Sequence, residues 1–239
     1  VDAALAILNG KALDVVAIAS PLLKCVLPDA PPLDEAFERE IYAARYAFED
    51  QERLADRAFE IAHRTGTHIV RVFSYWRTVS PAQCRDRIAA ALHALAERAA
   101  REDVTIAVEN VPACNVSTGA ELAHLLATVN HPNLRAVWDP ANSYISGELP
   151  FPDGYRAIPS AWIVHVHAAD CYLDGPAPVW GPFGVCGIDW KGQIAALAAD
   201  GYDGWISLEN RWLGPGEDKL QGGTLCGCNL QAMVAAREP

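Results

Sequence analysis

Short apolar runs alternate with longer amphipathic segments rich in Ala and Arg along the chain. The runs LDVVAIAS (13–20), THIVRVFS (67–74), VTIAVEN (104–110), LRAVWDP (134–140), WIVHVHAAD (162–170) and GWISLEN (204–210) have the length and β-branched content of strands. Helical spacing of apolar positions predicts helices near 34–64, 81–101, 118–129 and 191–200. An opening helix is predicted at 2–9, stopped by Gly10, and a closing one near 227–237. Continuous apolar strands, each followed by a helical crossover, imply a parallel sheet covered by helices. No G-x-G-x-x-G follows the first strand, which removes the main argument for a dinucleotide-binding doubly wound sheet.

The pattern therefore predicts an α/β fold of the TIM (β/α)8-barrel type, as one domain over residues 1–239. A closed barrel has eight strands over ~250 residues, whereas six strands are read here after an opening helix. The expectation is a barrel lacking its first one or two βα units in this chain. Residues 171–190 (CYLDGPAPVWGPFGVCGIDW) are too long and too rich in Gly and Pro for a routine connection and read as a functional loop.

Composition narrows the class. Among the 239 residues, 51% hydrophobic content supports a packed core, and a formal charge of -11 disfavours nucleic acid and anionic membranes as partners. No run approaches the roughly 20 apolar residues of a membrane helix, and the start VDAALAILNGKALD has no secretory signal pattern. Seven cysteines form no even framework, which agrees with a reducing, cytoplasmic setting. The CGC at Cys226 to Cys228 lacks a second Cys or His pair and reads as incidental.

The chemistry gathers where strands end. Four successive main strands close on a group able to bind a metal: Glu109 ends AVEN, Asp139 ends AVWDP, His167 ends IVHVH and Glu209 ends ISLEN. In a parallel barrel these ends share one face. Three carboxylates crowded there repel unless a cation offsets them. Three carboxylates and one imidazole suit Mn2+ first or Mg2+, with Co2+ and Zn2+ admitted by the imidazole. Each member also has a structural reading. Glu109 and Glu209 are candidates for ion pairs with Arg71 and Arg211, and Asp139-Pro140 for a turn. His165 faces the same side of its strand as His167 and reads as a packed or supporting imidazole. Asp170 is a candidate to orient His167 or touch substrate. Arg71 and Arg211 are candidates for a substrate carboxylate or phosphate. Trp76, Trp180 and Trp212 read as packing or as surfaces for a sugar ring.

AVEN, VWDPAN, HVHAAD and SLEN, with IVRVF upstream and GIDW at 187–190, resemble in order the xylose-isomerase-like TIM barrel superfamily of sugar phosphate isomerases and epimerases. The resemblance implies a divalent metal on Glu109, Asp139, His167 and Glu209, with Asn142, His165, Asp170, Arg71 and Arg211 as substrate-binding candidates. In the ketose 3-epimerase branch, the glutamates matching Glu109 and Glu209 exchange a proton on opposite faces of the substrate through an enediolate. This chain departs from that branch at Asn142, where the branch has histidine, and at Leu173, where it has arginine. Many relatives have lysine where Ala169 stands. The implied activity is a metal-dependent isomerase or epimerase of a small sugar-like carbonyl compound. A keto-inositol dehydratase-type lyase and a non-catalytic sugar-binding barrel are the alternatives. The endonuclease IV branch needs extra histidines that SPLLKC and FSYWR do not supply. Relatives often associate, so a homo-oligomer stays open.

Overall fold

A computed structural model describes residues 1–35, 46–175 and 177–236. Its strands are β1 (Ile18–Ala19), β2 (Ile69–Val72), β3 (Thr105–Glu109), β4 (Leu134–Trp138), β5 (Ile163–Ala168), β6 (Cys171–Leu173), β7 (Pro178–Trp180) and β8 (Trp205–Leu208). The α-helices are α1 (Asp2–Gly10), α2 (Gln51–Thr65), α3 (Arg85–Arg101), α4 (Gly119–Val129), α5 (Pro140–Ile145), α6 (Tyr155–Ala157), α7 (Trp190–Ala199) and α8 (Lys219–Ala235). Six strands form one sheet in the order β1-β2-β3-β4-β5-β8, so among these six the sheet order follows chain order.

Contacts group the chain into two compact units, Val1–Val116 with His124–Ala136, and Ser117–Ala123 with Val137–Pro239. In the first unit, β1 and β3 flank β2 in parallel, Ile18 opposite Val70 and Arg71 opposite Ala107. The α2 helix buries Leu54, Ala55, Ala58, Phe59 and Ala62 along one stripe, and Gly66 in a left-handed conformation ends it. The α3 helix buries Ile88, Ala89, Leu92, Ala96 and Ala99 with the same spacing. Past β1 the chain stays fastened: Phe73, Tyr75 and Trp76 donate their N–H groups to the carbonyls of Leu22, Leu23 and Cys25 at 3.0, 2.8 and 2.9 Å. Residues 22–25 thus run along 73–76, beyond the carboxyl ends of β1 and β2.

In the second unit β5 and β8 pair in parallel, with His167 opposite Ser207. Glu209, just past β8, donates its N–H to the Ala168 carbonyl at 2.8 Å, which extends the ladder to the strand ends. The long segment after β5 holds an antiparallel ribbon, Cys171 opposite Trp180 and Leu173 opposite Pro178.

Several boundaries differ from the pattern's prediction. The strand expected at 13–20 narrows to Ile18–Ala19 at the end of the sheet order. Residues 36–45 of the helix expected over 34–64 lie outside the described residues. Within the described part α2 starts only at Gln51, because the Asp50 carboxylate accepts the Ala47 N–H at 3.0 Å and closes a tighter turn over 48–50. The closing helix begins at Lys219 instead of 227, since Asp218 caps it by accepting from Leu220 and Gln221 N–H. Gly222 inside that helix is a packing residue: a Cβ there would lie 2.8 Å from the Trp212 carbonyl. The CGC pair sits on α8, with Cys226 buried and Cys228 exposed. Among the described residues no helix is long and apolar enough to cross a membrane.

Candidate metal centre

Asp139 follows β4 and is the N-cap of α5, with Pro140 in the first helical turn. Its Oδ1 accepts the Asn142 backbone N–H at 2.9 Å and its Oδ2 the Asn142 Nδ2 at 2.8 Å. One buried carboxylate therefore starts a helix where the sequence reading offered a turn. Asn142, a substrate-binding candidate by sequence, spends its side chain on orienting Asp139.

His167, on β5, stands with Nδ1 3.2 Å from Glu209 Oε1, a consequence of the β5–β8 pairing. The other oxygen of Glu209 accepts from Arg211 Nη2 at 3.3 Å. The Arg211 guanidinium lies 4.9 Å from the centre of the Trp180 ring, so ribbon strand β7 supports the arginine that holds Glu209. His165 is buried, with its ring edge-on to His167 at 5.3 Å and 88°. Both rings therefore share one side of β5, as period two dictates.

Asp139, His167 and Glu209 each offer a ligand atom, and these atoms lie within 4.8 Å of one another. Ligands held about 2.0–2.6 Å from one ion stand no more than about 5 Å apart, so the spacing fits a shared cation. Two carboxylates at that spacing repel each other, and the set of two hard oxygens and one imidazole nitrogen fits a divalent ion.

Glu109 closes β3 in the first unit and is 2% exposed. Its Oε2 accepts from Arg71 Nη1 at 2.5 Å, and the Arg71 guanidinium stacks 4.2 Å from the Phe73 ring centre. The ion pairs expected for Arg71 and Arg211 both exist, each to a strand-end glutamate.

Asp170 has another task than orienting His167. Its Oδ1 accepts the N–H groups of Cys171 and Ile188 at 3.0 and 3.3 Å, and its Oδ2 those of Gly184 and Cys186 at 2.9 and 3.1 Å. Four donors fill the lone-pair directions of one carboxylate and tie the loop after β7 to the end of β5. Burial lifts its pKa above the ordinary value, against the pull of the four amides. The neighbouring thiols of Cys171 and Cys186 are pushed up to about 12 and about 11, by burial first and the Asp170 charge second. Neither is a thiolate nucleophile near neutral pH.

Sequence reasoning passed over Lys24. It is 8% exposed, and its Nζ lies 4.6 Å from the Phe73 ring centre and 5.5 Å from that of Trp76. The only trace in the sequence is a lysine inside the apolar stretch LLKCVL.

Residues 45–224 match the model of the xylose isomerase-like TIM barrel family. No curated protein matches the chain. Solved structures share the fold at low identity. The probable 3-DHS dehydratase AsbF from Bacillus anthracis is 20% identical with a TM-score of 0.68, covering 95% of this chain and 80% of its own. The IolI protein with a bound zinc atom is 18% identical with a TM-score of 0.71, covering 95% and 78%. The 3-keto-D-glucoside 4-epimerase YcjR from E. coli is 17% identical with a TM-score of 0.65, covering 94% and 82%.

Proposed function

The chain belongs to the xylose isomerase-like TIM barrel family, and from that premise we propose that it is a divalent-metal-dependent isomerase or epimerase of a small sugar or sugar-like carbonyl compound. The observation that carries the reading is the convergence of Asp139, His167 and Glu209 within 4.8 Å. We assign Glu109 as the fourth ligand, because it ends β3, the neighbour of β4 in the sheet order, as the other three stand at the ends of β4, β5 and β8. The protein is read as one cytoplasmic domain over 1–239, with self-association open.

Bound there, a divalent ion, Mn2+ by preference, polarises a carbonyl and the adjacent hydroxyl. The chain's own groups do the rest. Glu209 removes the proton from the α-carbon and becomes the acid, giving an enediolate; a proton drawn from solvent is delivered through Glu109 to the opposite face, and Glu209 releases its own proton to solvent, so both glutamates end ionised as they began. Arg211 and His167 fix the two oxygens of Glu209, and Arg71 fixes Glu109. His165, Arg71 and Arg211 supply hydrogen bonds to substrate oxygens. Asn142 and Asp170 serve the substrate indirectly, through Asp139 and the loop.

The epimerase and the zinc-bound protein among the structural relatives support this reading, and the dehydratase supports a second one. In that second reading, as for a keto-inositol dehydratase, the same proton abstraction is followed by loss of a β-hydroxyl. A panel of ketoses, sugar phosphates and keto-inositols, incubated in D2O with manganese-loaded protein and followed by NMR, tests both. Exchange with a new stereoisomer supports epimerisation, and loss of water supports the lyase. Turnover that survives complete removal of metal overturns the metal-dependent mechanism. Binding without turnover leaves a sugar-binding barrel.

A further inference from the structure

Resting on the reading above, we propose that Trp180 is a positioning residue for Glu209: its indole face fixes the Arg211 guanidinium, and through it the orientation of the carboxylate that holds the metal and moves the proton. Arg211 lies past β8 in a stretch without helix or strand, and its Nη2 donates to Glu209 Oε2 at 3.3 Å. The two side chains are 32% and 34% exposed. A long charged side chain that keeps this much solvent loses rotamer freedom to hold one geometry, so such a pair is weak by itself. The Trp180 ring centre, 4.9 Å from the guanidinium, supplies a second contact that narrows where the charged head can stand.

The second observation is independent and concerns the ring. Trp180 sits opposite Cys171 in the antiparallel ribbon, and the next residue, Gly181, donates its N–H to the Asp170 carbonyl at 3.2 Å. The pleat turns half-buried Trp180 to the other side of the ribbon from exposed Val179. Asp170 is itself buried and accepts four backbone N–H groups. The ring is therefore the anchored partner and the arginine the adaptable one, so constraint passes from the ribbon to Arg211 and on to Glu209. On the other oxygen of Glu209, His167 Nδ1 stands 3.2 Å from Oε1. Loss of the ring leaves that contact in place and loosens only the Oε2 side, so a partial loss of metal affinity is expected.

The test measures manganese affinity by electron paramagnetic resonance in the native protein, Trp180→Leu, Trp180→Phe, Arg211→Met and the double variant of Trp180→Leu with Arg211→Met. Heteronuclear NMR follows the Arg211 Nε–H signal in the first three. Trp180→Leu should weaken manganese binding about two- to fivefold, the worth of one half-exposed cation–π contact, and move the Arg211 signal toward that of a free arginine. Trp180→Phe, which keeps an aromatic face, should stay closer to the native protein in both readings. In the Arg211→Met background, removing the ring should change the affinity no further, a coupling that a purely structural role of Trp180 does not produce. Circular dichroism checks folding, and Trp180→Met stands in for the leucine variant if that one unfolds. Losses that multiply in the double variant, equal losses for leucine and phenylalanine, or an Arg211 signal indifferent to the ring overturns the proposal. A native protein that binds no manganese sinks the metal reading instead, and the NMR comparison then decides whether Trp180 fixes Arg211.

Discussion

Asn142 grips Asp139 twice, its backbone N–H on Oδ1 at 2.9 Å and its Nδ2 on Oδ2 at 2.8 Å. The first bond belongs to the helix cap and survives any side-chain change. The second sets the rotation of the carboxylate, and outer partners of this kind tune a metal site. Asn142→Ala is expected to weaken manganese binding by about 10–100-fold with an unchanged circular dichroism spectrum. Titration against a fluorescent chelator measures it, and unchanged affinity would show that Asp139 needs no help.

Glu209 is held between His167 on Oε1 and Arg211 on Oε2. Glu209→Gln preserves the shape and removes the basic group, so substrate proton exchange into D2O should fall by about 10²–10⁴-fold. Arg211→Met should cut exchange less, because Glu209 keeps its basicity and loses only orientation. A larger effect at Arg211 than at Glu209 would transfer the basic role elsewhere.

Arg71 and Glu109 form an ion pair with side chains 16% and 3% exposed. Glu109→Ala strands the guanidinium and should lower unfolding free energy by about 3 kcal/mol, the low end for a broken buried pair because Arg71 retains some solvent. Glu109→Gln, which still accepts a hydrogen bond, should lose less. Urea denaturation of the three proteins orders them.

Asp170 has a pKa raised above the ordinary 3.8 by burial, so the native state holds its proton more tightly than the unfolded chain does. Its contribution is therefore most stabilising in acid and declines as pH rises from the ordinary carboxylate range through the elevated native value. Asp170→Asn should abolish that segment of the pH dependence. It should also cost about 1–3 kcal/mol, because its NH2 group faces backbone N–H donors that the carboxylate accepts. Unfolding curves of both proteins across the acid range test the sign.

Asp139, His167 and Glu209 were legible because an apolar run that ends in a ligand-type residue is a one-dimensional signal, and parallel strands convert chain order into proximity. The α5 helix was not legible, since Asp-Pro suits a turn and a helix start equally. Lys24 was missed because its aromatic surroundings come from the pairing of 22–25 with 73–76, which no local pattern announces. Asp170 looked like a site residue by position. Its work depends on a loop path that returns to it 14 to 18 residues later.

That return hangs the loop on one residue. Swinging the stretch from Gly184 to Ile188 away from β5 would break three hydrogen bonds from backbone N–H groups to a single buried carboxylate at once. Opening the loop is thereby coupled to uncovering the Asp170 carboxylate, the group that tethers it.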